Sequence, residues 1–219
     1  MIPQACGGVG AIGVTAVVVA MVVGGHSCVT VAAPPASPGR PASLYGLEAR
    51  GRRIVYVFDR SASMSEPDGH PLAEAKHELL SSLESLGSSR QFHVIFYNER
   101  VAVFAPGGNR GRPQFADEGT LREARRFIES VRAEGGTNHA QAIESALKLA
   151  PDTIFLLTDA DEHDDLTDDE LARLTRMAGG TCCMVAQFGG NEGRRSPRLE
   201  HLARATGGQY RVVDESPAE

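Results

Sequence analysis

The stretch Ile54-Val55-Tyr56-Val57-Phe58-Asp59-Arg60-Ser61-Ala62-Ser63-Met64 decides how the rest of the chain is read. Apolar and aromatic residues run without interruption into an aspartate, and hydroxyls follow at Ser61 and Ser63. An unbroken run of β-branched and aromatic residues suits a strand buried on both faces, so Ile54 to Phe58 reads as a central strand of a parallel sheet. In open α/β sheets, ligands sit just beyond the carboxyl ends of the strands. Asp59, Ser61 and Ser63 occupy that place. They offer one carboxylate and two neutral hydroxyls, a hard-oxygen set suited to Mg²⁺, Mn²⁺ or Ca²⁺.

Two later stretches offer oxygens from similar positions. Gly135-Gly136-Thr137-Asn138 precedes an apolar-periodic helix, and Thr153 to Thr158 is a second buried strand that runs into Asp159. Asp-x-Ser-x-Ser, then a Thr after a glycine pair, then Thr-Asp at a strand end, resembles the metal-ion-dependent adhesion site of von Willebrand factor type A domains. The resemblance covers the chain from about Arg52 to Val213. It implies that Asp59, Ser61, Ser63, Thr137 and Asp159 hold Mg²⁺, or Mn²⁺ or Ca²⁺ in its place. The two Ser hydroxyls would bind directly, Thr137 directly or through water, and the two Asp partly through water. Neutral hydroxyls compensate the ion's charge only in part, and one coordination position stays open. The expected partner is therefore a protein, unidentified by the sequence, that supplies a Glu or Asp carboxylate. One departure from the family pattern stands beside the site: Ala160 follows Asp159, where the family often has Gly.

Other readings stay open. Any one of these Ser and Thr residues is also explained as an N-cap or turn residue. Asp161-Glu162-His163-Asp164-Asp165 is an acidic cluster beside the site. It reads as a solvated loop, as a second cation site, or as the source of a general base, His163, in a metal-dependent phosphoesterase or hydrolase using the same pocket. A domain that keeps the fold and no longer binds metal is a further alternative. Two-metal hydrolysis draws on carboxylates and histidines as ligands rather than hydroxyls. The globular part carries no Gly-x-Ser-x-Gly elbow, Walker loop or zinc motif. The expectation is thus a binding protein and not an enzyme; His139 follows the Thr137 loop and could face the site, but is expected as an exposed residue at a helix start.

Along the chain, strands alternate with helices. Leu72, Ala75, Leu79, Leu83 and Leu86 give one helix its apolar face, with Pro71 in its first turn and Gly87 as its stop. Phe92 to Tyr97 and Arg100 to Ala105 read as a hairpin around Asn98-Glu99, and 106–114 as a loop. Thr120 and Glu123 form an expected capping box, as do Thr167 and Glu170. Ile143, Ala146, Leu147 and Ala150 are expected inward on the helix opened by Thr137-Asn138, with Pro151 closing it. Strands at Cys182 to Phe188 and Gln209 to Val213 flank a helix from Pro197 to Ala205. This alternation means an α/β fold: a doubly wound, mostly parallel central sheet with one antiparallel edge strand, Rossmann-like, preceded by an N-terminal hydrophobic helix.

The 219 residues leave room for one domain and an appendage, and 42% hydrophobic with 23% charged residues is a globular composition. A formal net charge of −6 argues against a nucleic-acid surface, which needs a basic stripe. The expected domains are an N-terminal anchor or signal segment at 1–33, a Pro-rich linker at 34–51, the von Willebrand factor type A-like domain at 52–215 and a short tail at 216–219. Ala5 to Gly25, roughly 21 apolar residues, is long enough to cross a bilayer. No Lys or Arg precedes it, which favours a single-pass membrane anchor over a cleaved signal peptide that would leave the domain secreted. All nearby Arg residues follow the run, so the positive-inside rule puts the domain on the cytoplasmic side, and an inverted or cleaved segment would export it. Gly8-Val9-Gly10-Ala11-Ile12-Gly13 spells a dinucleotide fingerprint, but no strand precedes it and no βαβ unit surrounds it. Cys182 and Cys183 are adjacent in an expected strand, so they face opposite sides and read as small buried hydrophobes.

Overall fold

A computed structural model describes residues 41–65, 70–108, 111–159, 165–189 and 195–213. The expected membrane anchor, the dinucleotide-like glycines, Cys6 and Cys28, Ala160, His163 and the tail at 216–219 lie outside those residues. Among the described residues, no helix is long and apolar enough to cross a membrane.

In chain order the strands and helices are β1 (Ser43–Leu44), β2 (Leu47–Glu48), β3 (Arg53–Asp59), α1 (His70–Ser85), β4 (Gln91–Tyr97), β5 (Val101–Val103) and β6 (Gln114–Phe115). There follow α2 (Glu118–Ser130), α3 (His139–Leu147), β7 (Thr153–Thr158), α4 (Asp168–Ala178), β8 (Cys182–Phe188), α5 (Pro197–Ala205) and β9 (Tyr210–Val213). The sheet runs β5-β4-β3-β7-β8-β9. Strands β4, β3, β7, β8 and β9 are parallel, and β5 closes one edge antiparallel. The expected doubly wound, mostly parallel architecture is thus the observed one.

The apolar run of β3 sits at the centre, with every residue from Ile54 to Asp59 fully buried. Period-two alternation sends its side chains to two cores. Ile54, Tyr56 and Phe58 pack with Leu72, Ala75, Leu79 and Leu83 of α1 and with Ala124 and Ile128 of α2. Val55 and Val57 pack with Ala142, Ile143 and Ala146 of α3, Leu174 of α4 and Leu199 and Leu202 of α5. Cys182 belongs to the first core and Cys183 to the second, as their adjacency in a strand requires. Burial pushes the Cys183 thiol up to about 12, so it stays protonated.

Several boundaries differ from expectation. Residues 41–51 of the expected linker are folded: β1 and β2 form a hairpin whose Leu44 and Leu47 are buried in the first core. Both of its turn residues, Tyr45 and Gly46, have positive φ, the geometry of a tight two-residue hairpin turn. Two-residue strands are too short to register as a period, so the Pro/Ala/Ser composition masked them. The loop between β4 and β5 holds three residues rather than two, because Tyr97 pairs with Val101. Residues Gln114–Phe115, read as loop or its border, add a short antiparallel pairing to β4.

The capping box expected at Thr120 and Glu123 lies three residues late. Asp117 is the N-cap of α2 and accepts from the Thr120 backbone N–H at 2.9 Å. The box at Thr167 and Glu170 forms as expected and starts α4. Ala150 lies past the end of α3, exposed and with φ 47, rather than on its inner face.

Candidate metal centre

The carboxyl ends of β4, β3 and β7 place three polar side chains in one row. The register sets Asp59 beside Tyr97 of β4, and Phe58 beside Leu157 of β7, so the next pair along brings Asp59 to Thr158. The Asp59 carboxylate is fully buried. Its Oδ1 accepts the Ser61 backbone N–H at 2.8 Å, and its Oδ2 accepts the Thr158 hydroxyl at 2.8 Å. Burial raises its pKa above the ordinary carboxylate value, against hydrogen bonds from Ser61, Thr158 and Tyr97 that favour the ionised form.

Beyond Asp59 the chain turns into a short 3₁₀ segment, Ala62–Ser65, anchored by the fully buried Met64. That turn lifts the Ser61 and Ser63 hydroxyls to 3.0 Å from each other, with Ser61 buried and Ser63 exposed. Backbone bonds then stitch this turn to the loop that carries Thr137. The Ala62 N–H donates to the Gly135 carbonyl at 2.9 Å, and the Glu134 N–H donates to the Arg60 carbonyl at 2.9 Å. An ion pair between Arg60 and Glu134 at 2.8 Å reinforces the seam.

Gly135 has φ +76, and a Cβ there would stand 2.9 Å from the Asn98 side-chain nitrogen, so only glycine fits without strain. Asn98 donates to the Glu134 carbonyl at 2.7 Å, and its own carbonyl accepts the Asn138 N–H at 3.0 Å. Thr137 is thereby held between two tied points and is half-buried. Asn138 caps α3, accepting from Gln141 at 3.0 Å.

Asp59, Ser61 and Ser63 are therefore joined through direct hydrogen bonds. The backbone seam sets the loop that carries Thr137 alongside this turn. Asp159 follows Thr158 directly at the end of β7 and is half-buried. Its charge, after burial and the Asp59 charge, helps push the Tyr97 phenol up.

The donor set fits a hard divalent cation. A buried carboxylate whose bonding neighbours are all neutral carries a charge that nothing close in compensates. The hydroxyls around it are oxygen ligands without charge of their own. Among the described residues, no cluster of three or more His, Cys, Asp or Glu forms a softer or more acidic alternative.

Three participants were not read from the sequence. Thr158 was read only as part of the Thr-Asp strand end, yet it bonds the buried carboxylate. Tyr97 was read only as the last residue of a strand, yet its hydroxyl lies 2.8 Å from His139 Nδ1. His139, expected on the surface, is 3% exposed and packs edge-on against the Tyr97 ring at 5.6 Å. The correction has a simple cause: α3 turns its first residue down onto the end of β4. Asp165, the described member of the acidic cluster, is not free in solvent either. Its two oxygens accept backbone N–H groups of Leu199 and Arg198 at 3.2 and 2.8 Å, at the start of α5. The remaining members fall outside the described residues.

Comparison with known proteins identifies the fold's family. The family described as von Willebrand factor type A domain matches residues 52–212. Inter-alpha-trypsin inhibitor heavy chain H4 of Homo sapiens is 29% identical over 131 residues, covering 53% of this chain. Heavy chain H2 of Mesocricetus auratus is 26% identical over 129 residues, covering 59% of it. The aligned region spans only 13% and 12% of those relatives' own lengths. Among solved structures, a von Willebrand factor type A protein from Catenulispora acidiphila superposes with a TM-score of 0.65 at 24% identity, over 76% of this chain and 39% of that one. Proximal thread matrix protein 1 of the mussel byssus, solved with a zinc-occupied MIDAS motif, superposes with a TM-score of 0.56 at 15% identity, over 76% and 44%. With the family pattern covering most of the chain and its fold in place, this protein belongs to the von Willebrand factor type A domain family.

Proposed function

We propose that this domain binds a partner protein through a divalent cation held by Asp59, Ser61, Ser63, Thr137 and Asp159. Family membership supports protein–protein interaction in general. The cation-dependent mode is the finer reading, and one observation carries it. Asp59 is an aspartate buried to 0% exposure at the ligand-binding end of the sheet, and every group that bonds it is neutral. Such a charge calls for a proton or a cation. Two hydroxyls 3.0 Å apart, with a third hydroxyl and a second carboxylate on adjoining loops, offer oxygens to a cation. The zinc-occupied MIDAS of the mussel protein is consistent with a divalent ion at this place in the fold.

When bound, Mg²⁺ (or Mn²⁺ or Ca²⁺) would supply positive charge that only two carboxylates offset. Asp59 holds Ser61 in place through its N–H. The seam from Ala62 to Gly135 holds the loop that carries Thr137 against the turn that carries the two serines. The N-terminal end of the α3 dipole adds positive potential. A Glu or Asp carboxylate of the partner would complete the site. The domain acts in this reading as a binding module and not as an enzyme, tethered to a membrane if the apolar run from Ala5 to Gly25 is retained.

Calorimetric titration with Mg²⁺ and Mn²⁺ tests the site: the unaltered chain should bind, and Asp59→Ala should not. Equal heats from both would refute it. Capture of a partner from a native extract should fail with chelator present, and capture insensitive to chelator would refute the cation-dependent mode.

A further inference from the structure

The row Tyr97, Asp59, Thr158 continues upward into α3 at a single point. Tyr97 and His139 are both buried, at 0% and 3% exposure, and the tyrosine hydroxyl lies 2.8 Å from His139 Nδ1. Tyr97 pairs with Asp59 in the strand register, and burial, then the Asp59 charge, push its phenol well above the usual value. His139 is the first residue of α3, and Thr137 stands two positions before it. Between them, Asn138 is pinned by its N–H to the Asn98 carbonyl at 3.0 Å. The Tyr97–His139 and Asn98–Asn138 bonds thus tie the end of β4, beside Asp59, to the start of the helix that follows Thr137.

We propose that Tyr97 and His139 are the positioning pair of the cation site, setting how far Thr137 stands from Asp59. This inference rests on the cation-dependent reading above. Its physical basis is that a ligand hydroxyl must be held within a few tenths of an ångström, while beyond the Asn138 N–H bond to the Asn98 carbonyl α3 meets the sheet through apolar side chains, which set no direction. The Tyr97–His139 bond adds a directional constraint where α3 meets β4. Outer-shell partners of this kind orient the groups that touch a metal and tune its affinity.

Titration of the full chain with Mn²⁺ and Mg²⁺ by calorimetry tests the pair. Tyr97→Phe keeps the ring and removes the hydroxyl, and it should weaken cation binding by roughly tenfold. His139→Ala should do the same, whereas His139→Asn, which returns a polar atom near the place of Nδ1, should restore most of the affinity. In a Thr137→Ala background, Tyr97→Phe should cost clearly less than in the unaltered chain, because the hydroxyl it positions is gone and only its bond to Asp59 remains. A merely structural role would move thermal stability in all of these variants and leave that non-additivity absent. Unchanged affinity in Tyr97→Phe, or losses that simply add with Thr137→Ala, would overturn the inference while the cation site stands. Absence of binding by the unaltered chain would overturn the cation site and this pair together. If Tyr97→Phe fails to fold, the His139 pair of variants decides by the same criteria.

Discussion

Two aspartates stand at opposite ends of the central strands and are treated in opposite ways. Asp152 precedes β7 at the amino end of the sheet, and its Oδ2 accepts backbone N–H groups of Arg52 and Arg53 at 2.7 and 2.9 Å. Burial would raise its pKa, but those two N–H bonds and the Arg53 charge outweigh it and hold the carboxyl below its usual value. Asp59, at the carboxyl end of β3, is fully buried, and there burial outweighs every hydrogen bond it receives. The first aspartate is satisfied as an anion and clamps the start of β3 to the start of β7. The second is left wanting positive charge. In the proposed reading, that contrast distinguishes a structural carboxylate from a ligand one.

The largest expected effect lies at Asp59. Asp59→Ala should reduce Mg²⁺ or Mn²⁺ affinity by more than about a hundredfold, and Asp152→Ala should leave it unchanged; calorimetry on the two variants reads the contrast directly. Loss of binding in both would show that the two carboxylates are not distinct in role.

Acid stability supplies the next test, through His93. Burial pushes the His93 ring down to about 4, with a hydrogen bond to the Arg112 backbone opposing the shift. Its folded pKa lies below the unfolded value near 6.5, so the unfolded chain takes up the proton first. Stability should fall as pH drops from about 6.5 through about 4, by up to roughly 3 kcal/mol. Denaturant midpoints across that range should show the slope, and His93→Phe should flatten it.

Gly135→Ala follows in size. With positive φ and a contact to Asn98, it should cost roughly 2 kcal/mol in chemical denaturation. It should also weaken cation binding, because the loop it strains carries Thr137. A full stability loss with unaltered cation affinity would detach the loop from the site.

The smallest effects restate the contrast as opposite pH slopes in cation-free protein. Asp59 has a folded pKa above its usual 3.8, so its contribution is fully present below 3.8 and is lost as pH rises through the folded value. Asp152 has a folded pKa below 3.8, so its contribution is present above 3.8 and is lost as pH falls through the folded value. At pH 7 without cation, Asp59→Asn should therefore stabilise the chain. Asp152→Asn should destabilise it by about 1 kcal/mol after allowance for solvent screening. Thermal melts of the two variants give the signs, and equal signs would dissolve the distinction.

The legible part of this protein is what short range encodes. The run Ile54 to Phe58 could only be a strand buried on both faces, and Asp59, Ser61 and Ser63 follow it within one turn. Thr167 and Glu170 announce α4 because a capping box is complete within four residues. At α2 the same local logic chose the wrong hydroxyl. Asp117 competes for the cap and wins because its side chain accepts from Thr120 itself. Leu44 and Leu47 left no periodic trace, since two-residue strands hold less than one repeat of alternation.

By itself the amino-acid order determined the central strand, the alternation of strands with helices, the family and the oxygen-bearing residues at the strand ends. Only the tertiary structure decided that Asp59 is wrapped in neutral donors, that Tyr97 and Thr158 flank it, and that His139 turns inward. The reason is separation along the chain. Thr158 lies 99 residues from Asp59 and His139 lies 42 from Tyr97, so their meeting depends on strand register and on how α3 seats on the sheet. Helical period, strand alternation and capping act over a few residues and carry no record of either.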